Sequence, residues 1–264
     1  MENNRRNNMK IETWINEKIK EKKLDYQELN YLVKVIIGKE TTLDTELKYF
    51  AKETLEKVYK ERTKGTPLSK ITQKKHFWKS CFNTNEHTLD PRPETEMLIE
   101  SISIKPRSVL ELGIGTGCLI ISILKEYKKA VGLGIDISKE ALKVANQNIE
   151  INKLEKKLEA KEGNWATGIT KDFDLIVSNP PYVKDTPENR EKLKKEPSQA
   201  LYGNIETYKK LIESIKINFK EMLLEVPEDL KEEVEKELKS KGYKVESKEI
   251  YNSKVFCIKT NPKN

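Results

Sequence analysis

Cysteine, histidine and long apolar runs are all scarce in this chain, and each shortage excludes a class of protein. Three cysteines, Cys81, Cys118 and Cys257, show no paired or metal-ligand spacing, which argues against structural zinc and fits a reducing compartment. The two histidines, His76 and His87, have no cluster of other ligands around them, so we expect no metal site. No apolar run approaches the roughly 20 residues that a membrane-spanning helix needs, so we expect no membrane association.

The start of the chain and its charge indicate a cytoplasmic protein. Residues 1–6 lack the apolar core of a signal peptide. Lysine and arginine number 50 against 43 acidic residues, a net charge of +7, and such a balance can reflect a nucleic-acid partner. Lysine and glutamate alternate on the predicted helices, however, as on solvated surfaces. We therefore expect a monomer that binds no nucleic acid directly, with the nucleic-acid alternative kept open.

The periodicity of the sequence divides the chain into three parts. Residues 1–70 show apolar residues at helical spacing and are predicted to form a bundle of three helices, with Leu47 in the third, for packing or recognition. Residues 71–92 contain aromatic, strand-like pieces and are predicted to form a linker hairpin. Residues 93–264 alternate strands and helices, which predicts an α/β domain with a largely parallel sheet of seven strands. An Asn252–Ser253 turn is predicted to join the last two strands as an antiparallel pair.

A glycine-rich loop, Glu111–Gly117, follows the first predicted strand of the α/β domain. Its glycines, Gly113, Gly115 and Gly117, allow a sharp turn and a close approach of the backbone to a ligand. Cys118 stands where the dinucleotide fingerprint needs glycine, and the Lys-Ser/Thr ending of a P-loop is missing. The loop therefore predicts a cofactor site that is neither a dinucleotide nor a nucleoside triphosphate site, with Glu111 included in it.

The next two predicted strands end in residues that suit an adenosine-type cofactor. Asp136 ends the second strand, where an acid accepts hydrogen bonds from ribose hydroxyls; its alternative role is to cap the following helix, although Ser138 is the better cap. Asn164 and Trp165 follow the third strand and place an amide and an aromatic ring near the adenine. For Trp165, a position in the hydrophobic core is the alternative.

The fourth predicted strand, Phe173–Ser178, ends abruptly at Asn179, Pro180, Pro181 and Tyr182. Proline removes a backbone donor and does not fit a central strand, so these residues lie at the rim of the sheet, where open α/β sheets bind ligands. The Asn179 amide offers one acceptor and one donor group, and the prolines fix its position. This pattern is typical of a clamp for a planar nitrogen that is held through its hydrogens.

Together these motifs predict a Rossmann-like class I methyltransferase that uses S-adenosyl-L-methionine. The lone pair of an amide nitrogen is delocalised into the carbonyl, which makes that nitrogen a poor acceptor of a methyl group. If Asn179 Oδ1 and the Pro180 carbonyl accept its two hydrogens, the nitrogen is oriented and catalysis rests mainly on positioning and electrostatics. A strong base is not required before transfer, because the proton can leave afterwards.

Several segments from about residue 62 onward resemble the release-factor glutamine methyltransferases, the PrmC/HemK family. They are Arg62–Leu68, Phe77–Trp78, Leu89–Glu96, the glycine loop, Ser178–Tyr182 and Glu196–Leu201. The resemblance implies transfer of a methyl group to N5 of the glutamine in the Gly-Gly-Gln motif of peptide-chain release factors. It also implies that Asn179 and the Pro180 carbonyl hold the glutamine amide, that Pro181 and Tyr182 contact it, and that Arg92 and Glu94 border the pocket. The N-terminal helices would contact the release factor.

The chain departs from the family pattern at three places. Asn164 stands where the family often has aspartate, Asp90 where many members have an apolar residue, and Tyr202–Glu206 where a glycine-rich loop with aspartate is common. A DNA or RNA N-methyltransferase acting on an exocyclic amine is the alternative enzyme, and it would need base-stacking aromatics or a focused basic patch. A non-catalytic adaptor is the alternative of a different class, against which the intact Gly113, Asp136 and Asn179 argue.

Overall fold

A computed structural model describes residues 9–38, 40–249 and 255–262. The chain divides into two compact units, Met1–Gln73 and Lys74–Asn264. Residues 74–92 of the predicted linker hairpin fall within the second unit, and residues 71–73 fall within the first. Among the described residues, no helix has both the length and the apolar character needed to cross a membrane.

The first unit is mainly helical, as its apolar periodicity predicts. Its helices are α1 (Ile11–Lys20), α2 (Tyr26–Ile36), α3 (Tyr49–Thr63) and α4 (Leu68–Thr72), and its two short strands are β1 (Met9–Lys10) and β2 (Glu46–Leu47). The Asp25 side chain caps α2 by accepting a hydrogen bond from the Glu28 backbone N–H. The placement of Leu47 in the third helix is wrong: Leu47 is buried in β2, which pairs with β1, and α3 begins after Lys48.

The second unit begins with the predicted hairpin, formed by β3 (Lys74–Phe77) and β4 (Ser80–Asn83). Asn148, fully buried on a later helix, donates to the Asn83 carbonyl and accepts from the Asn83 N–H, and it also donates to the carbonyl of Thr116 in the glycine loop. Asn148 thereby links the hairpin to the glycine loop. A 3-10 turn, Pro93–Thr95, leads into α5 (Glu96–Glu100), where Glu96 accepts from the Trp78 backbone N–H.

Seven strands within the described residues form the predicted sheet. They are β5 (Ser108–Leu112), β6 (Val131–Asp136), β7 (Leu158–Glu162), β8 (Leu175–Ser178), β9 (Glu221–Pro227), β10 (Tyr243–Glu249) and β11 (Val255–Pro262). Their order is β10-β11-β9-β8-β5-β6-β7, with β5 to β9 parallel and the last two antiparallel. The α/β prediction is confirmed, whereas the predicted Asn252–Ser253 turn lies outside the described residues.

Helices cover both faces of this sheet. After α5, the helices of this unit are α6 (Cys118–Glu126), α7 (Lys139–Ile151), α8 (Pro187–Lys192), α9 (Ser198–Leu201), α10 (Ile205–Ser214) and α11 (Lys231–Ser240). One core lies under α5, α6 and α7, and the other under α10 and α11. The short helices α8 and α9 were not predicted, since four to six residues are too few to show helical periodicity.

The order of the strands decides where a ligand can bind. After β5 the chain continues to β6 and β7 on one side, and it then crosses to β8 on the other side of β5. The crevice at the carboxyl ends of β5 and β8 is therefore the switch point of the sheet, which is the usual ligand site of an open α/β fold. The glycine loop and Asn179 both follow these strand ends.

Candidate active site

A cavity of about 930 Å³ opens at this switch point, within the usual size range of small-molecule sites. Its lining includes the glycine loop and the residues at the carboxyl ends of β6 and β8. Residues from three further segments, 86–95, 163–165 and 197–210, complete the lining. The cavity is large enough for a cofactor at one end and an acceptor side chain at the other.

The glycine loop adopts backbone conformations that only glycine takes easily. Gly113, Gly115 and Gly117 have φ angles of 78°, 52° and 77°. A Cβ on Gly115 would meet no other atom, and one on Gly113 would lie 3.8 Å from the Trp165 ring, so this part of the backbone faces open space. Gly117 differs, because a Cβ there would lie 3.2 Å from Ile121. Gly117 therefore serves the start of α6 and does not line the cavity.

Glu111 is buried at the start of the loop, and its carboxylate accepts a hydrogen bond of 3.1 Å from the Ile120 backbone N–H. Burial raises the pKa of Glu111 well above its ordinary value, and the nearby Asp136 acts in the same direction. This contact ties the end of β5 to the first turn of α6. Glu111 borders the cavity, but its described hydrogen bond serves the shape of the loop.

Asp136 is placed as a ribose-binding acid would be. One of its oxygens accepts from the Gly115 N–H and the other from the Ser138 N–H, both at 2.9 Å. A carboxylate has about four lone-pair sites, so acceptor capacity remains for a ligand. The alternative role as helix cap is excluded, because the Ser138 hydroxyl caps α7 by accepting from the Ala141 N–H. Burial raises the pKa of Asp136.

Trp165 both lines the cavity and packs on the hydrophobic core. Its ring lies against Gly113 at the cavity wall and also packs on the second core. Its φ of 51° is rare for a bulky residue, so the backbone is held in a strained conformation to place the ring there. Exposed Asn164 precedes it in the lining. An aromatic face, a carboxylate and an open glycine backbone form a donor and acceptor set that fits an adenosine-type cofactor.

Asn179 stands at the other end of the cavity, directly after β8. The Ser178 hydroxyl donates to the Leu112 carbonyl at 2.6 Å and thus fixes the end of β8 against β5. The half-buried Asn179 donates from Nδ2 to the Thr95 hydroxyl at 2.9 Å. Thr95 in turn donates to the buried carboxylate of Glu225 at 2.6 Å. The amide is therefore held by a hydrogen-bonded chain that reaches into the sheet.

The residues after Asn179 have separate environments. Pro180 is buried, and Pro181 lines the cavity. The Tyr182 hydroxyl donates to Glu225 at 3.0 Å, and burial raises the pKa of Tyr182 above its ordinary value. The ring of Tyr182 packs against the second core and does not line the cavity.

Two further segments close the acceptor end. The side chain of Glu196 is 5% exposed; it accepts from the Arg92 guanidinium at 3.0 Å and from the Asp90 backbone N–H at 3.3 Å. Gly203 crosses so close to the prolines that a Cβ on it would lie 1.9 Å from the Pro181 carbonyl oxygen. The segment 196–203 thus braces both the Pro-Arg-Pro segment and the residues after Asn179.

Most of the predicted site residues meet in the one cavity. Those in its lining are Arg92, Glu111, Gly113, Gly115, Asp136, Asn164, Trp165, Asn179 and Pro181. Those outside the lining are Glu94, Gly117, Pro180 and Tyr182. The sequence reasoning missed Thr95 and Glu225, although each carried a signal: Thr95 lies within the distinctive Leu89–Glu96 segment, and Glu225 is an acid in an otherwise apolar strand.

Comparison with known proteins relates this unit to methyltransferases. Residues 86–200 match the family model "Methyltransferase small domain". A release factor glutamine methyltransferase of Dictyoglomus turgidum is 35% identical over 221 residues, which cover 77% of this chain and 78% of that protein. One of Caulobacter vibrioides is 40% identical over 136 residues, which cover 49% of this chain and 47% of that protein. The match thus spans about half the length of the Caulobacter relative and over three quarters of the Dictyoglomus relative.

Solved structures share the fold. The hMettl16 catalytic domain in complex with a MAT2A 3'UTR hairpin aligns with a TM-score of 0.58 at 14% identity, over 69% of this chain and 76% of that one. The ribosomal protein L11 methylase of Lactobacillus delbrueckii subsp. bulgaricus aligns with a TM-score of 0.50 at 17% identity, over 65% and 78%. At these identities the likeness concerns the fold alone. It confirms the prediction of a class I methyltransferase fold.

Proposed function

The chain belongs to the family of release factor glutamine methyltransferases, and we propose that it methylates the N5 amide nitrogen of the glutamine in the Gly-Gly-Gln motif of peptide-chain release factors. The observation that carries the proposal is the position of Asn179. Its Nδ2 is bound by Thr95, and within the described part of the chain no residue engages its Oδ1. Oδ1 is thus available as an acceptor for the hydrogens of a primary amide.

The acceptor end supplies orientation. Asn179 Oδ1 and the Pro180 carbonyl would accept the two hydrogens of the glutamine amide, which turns the face of the nitrogen toward the methyl donor. Orientation of this kind and preorganised dipoles are the main sources of rate enhancement for such a weak nucleophile. The amide loses one proton after the transfer, so this step requires no strong base in the site.

The cofactor end would hold S-adenosyl-L-methionine, which supplies an electrophilic methyl group when bound. Gly113 and Gly115 would allow the close approach of the backbone, and Asp136 would accept from the ribose hydroxyls. Trp165 and Asn164 would contact the adenine.

The remaining expectations form part of the same proposal. Residues 1–70 would recognise the release factor away from its reacting glutamine, and residues 71–92 would link them to the catalytic domain, 93–264. Arg92 and Glu94 would border the entrance for the substrate loop. We propose that the protein acts as a cytoplasmic monomer.

Mass spectrometry of a release factor incubated with the protein and labelled S-adenosyl-L-methionine tests the function. We expect a mass gain of one methylene on the Gly-Gly-Gln glutamine and none on a release factor whose glutamine is replaced by alanine. The Asn179→Ala variant serves as the enzyme control. Label in DNA or RNA with an unmodified release factor would refute the proposal in favour of a nucleic-acid methyltransferase.

A further inference from the structure

Glu225 is a buried carboxylate beside the acceptor end of the cavity, on β9, an interior strand of the sheet. Its residue is 0% exposed, and within the described residues no cation forms an ion pair with it. Its two oxygens accept separately from the hydroxyls of Thr95, at 2.6 Å, and Tyr182, at 3.0 Å. Because burying a charge without a cation is costly, a carboxylate in this place calls for a functional explanation.

The chemistry of the hydroxyl fixes the direction of the whole chain of hydrogen bonds. A threonine hydroxyl has one hydrogen, and a carboxylate can only accept. Thr95 therefore donates its one hydrogen to Glu225 and can only accept a hydrogen bond from Asn179. The partner that Asn179 turns toward Thr95 must then be its donor, Nδ2, as the structure shows at 2.9 Å. Oδ1 is left for the acceptor end of the cavity.

We propose that Thr95 and Glu225 are positioning residues that orient the Asn179 amide so that its carbonyl oxygen faces the acceptor and selects a nitrogen that carries hydrogens. The proposal rests on the proposed function, in which that nitrogen belongs to a glutamine side chain. A reversed Asn179 amide would present an N–H donor instead, which repels the N–H groups of an amide and suits a carboxylate. The carboxylate of Glu225 is thus a determinant of specificity for glutamine over glutamate.

Tyr182 acts on the same carboxylate from the other side. Its hydroxyl occupies the second oxygen of Glu225, so that Thr95 is left to the first. Tyr182 also follows the two prolines, and its hydrogen bond therefore fixes the segment that carries Asn179 to β9. Its role is to hold the Asn179–Tyr182 segment in place, and its ring does not stack on the substrate.

Substitution of Thr95 separates positioning from stability. Thr95→Val keeps the shape and removes the hydroxyl, and we expect kcat to fall about 10- to 100-fold, as for other residues that orient a catalytic group. Thr95→Ser keeps the hydroxyl and should restore most of the rate. Affinity for S-adenosylhomocysteine by calorimetry should stay within about threefold in both.

A matched control is available on β11. Thr260 is also fully buried, its hydroxyl donates to the Lys244 carbonyl at 2.8 Å, and it is not part of the cavity lining. Thr260→Val should lower the thermal midpoint while leaving kcat unchanged. If Thr95→Val keeps the kcat of the wild-type protein, or if Thr260→Val lowers kcat equally, the positioning role is wrong.

Glu225→Gln tests the charge itself. A glutamine has a donor as well as an acceptor and no longer dictates the direction of the Thr95 hydroxyl, so we expect kcat to fall about tenfold. Glu221→Gln is the control: it lies on the same strand, is equally buried, and accepts from Ser103 and Lys259. Loss of kcat in both variants, or in neither, would overturn the proposal.

The orientation can also be observed without catalysis. In the wild-type protein, the side-chain N–H groups of Asn179 should give an NMR signal whose exchange with water is slowed by the bond to Thr95, and Asn179→Asp identifies that signal by its loss. Slow exchange that becomes fast in Thr95→Val supports the proposal, and equal exchange in both contradicts it. If this holds while wild-type protein leaves release factor unmethylated, the proposed function fails and the positioning network stands.

Discussion

The two ends of the cavity are built in different ways. At the cofactor end, Asp136 and Gly115 are joined by a hydrogen bond between positions 21 residues apart, and the residues proposed to bind the cofactor follow successive strands of one βαβ series. At the acceptor end, the contacts join Asn179 to Thr95 and Thr95 to Glu225 across 84 and 130 residues. The proposed cofactor site is thus built from short local motifs, whereas the proposed acceptor site is built from distant segments that meet only in the folded chain.

Asn179→Ala gives the largest expected separation of the two ends. Loss of the amide removes the acceptor of the substrate hydrogens, and we expect kcat to fall about 1000-fold, as when a preorganised polar contact to the reacting group is removed. Binding of S-adenosylhomocysteine, measured by calorimetry, should be largely unchanged. Near-normal turnover would show that the acceptor is held elsewhere.

Asp136→Ala should weaken ligand binding at the cofactor end of the cavity. The substitution removes a charged acceptor for the ribose and also leaves the Gly115 N–H without its partner. Because hydrogen bonds to charged groups are worth about 1.5–3 kcal/mol, we expect the dissociation constant of S-adenosylhomocysteine to rise about 10- to 100-fold. An unchanged constant by calorimetry would contradict the ribose contact. The Asn179 amide signal should be unaffected, since Thr95 and Glu225 remain.

Gly203→Ala sharpens the comparison at the acceptor end. The added Cβ would collide with the Pro181 backbone, so the segment after Asn179 must shift and kcat should fall about tenfold without loss of cofactor affinity. Gly242→Ala, at a φ of 89° with no atom near the added Cβ, is the control. It should cost about 1 kcal/mol of stability and leave kcat unaltered. Equal losses of kcat in the two variants would rule out a specific brace.

The smallest expected effect is on pH dependence. Burial, the largest cause, raises the pKa of Glu225 to about 7; Glu94 acts in the same direction, while Arg92 and the hydroxyl donors Thr95 and Tyr182 oppose it. Tyr208 and Cys257 also face this carboxyl. Since only the ionised form directs Thr95, kcat should fall as the pH drops through about 7, and Glu225→Gln should lose this limb. A limb that persists in that variant would assign the titration to another group.

The pH dependence of stability has the opposite sign to that of kcat. A carboxyl with a pKa above its ordinary 4.5 binds its proton more tightly in the folded state. Its contribution to the free energy of unfolding is therefore present below pH 4.5 and is lost as the pH rises through about 7. The ionised Glu225 costs stability where it supports catalysis. Urea unfolding at pH 8 should accordingly find Glu225→Gln no less stable than the wild-type protein.

Prediction from the sequence succeeded where a single local pattern decides the structure. The seven strands follow from runs of apolar residues between helices, and Ser138 is the cap because its hydroxyl lies at the start of an amphipathic helix. It failed where tertiary contacts override the pattern. Leu47 fits the apolar spacing of a helix but pairs as a strand with Met9. The positive φ of Trp165 was not predicted, because no local rule favours it.

The sequence by itself determined the chemistry of the two ends. The glycine loop, Asp136 and the Asn179–Tyr182 segment predict a cofactor site and an acceptor site, because strand ends and turn residues are encoded by neighbours in the chain. Only the tertiary structure decided the orientation of the Asn179 side-chain amide. The direction of the Asn179 amide depends on one hydroxyl hydrogen of Thr95 and on the buried charge of Glu225, and the order of strands in the sheet is what brings these three residues together.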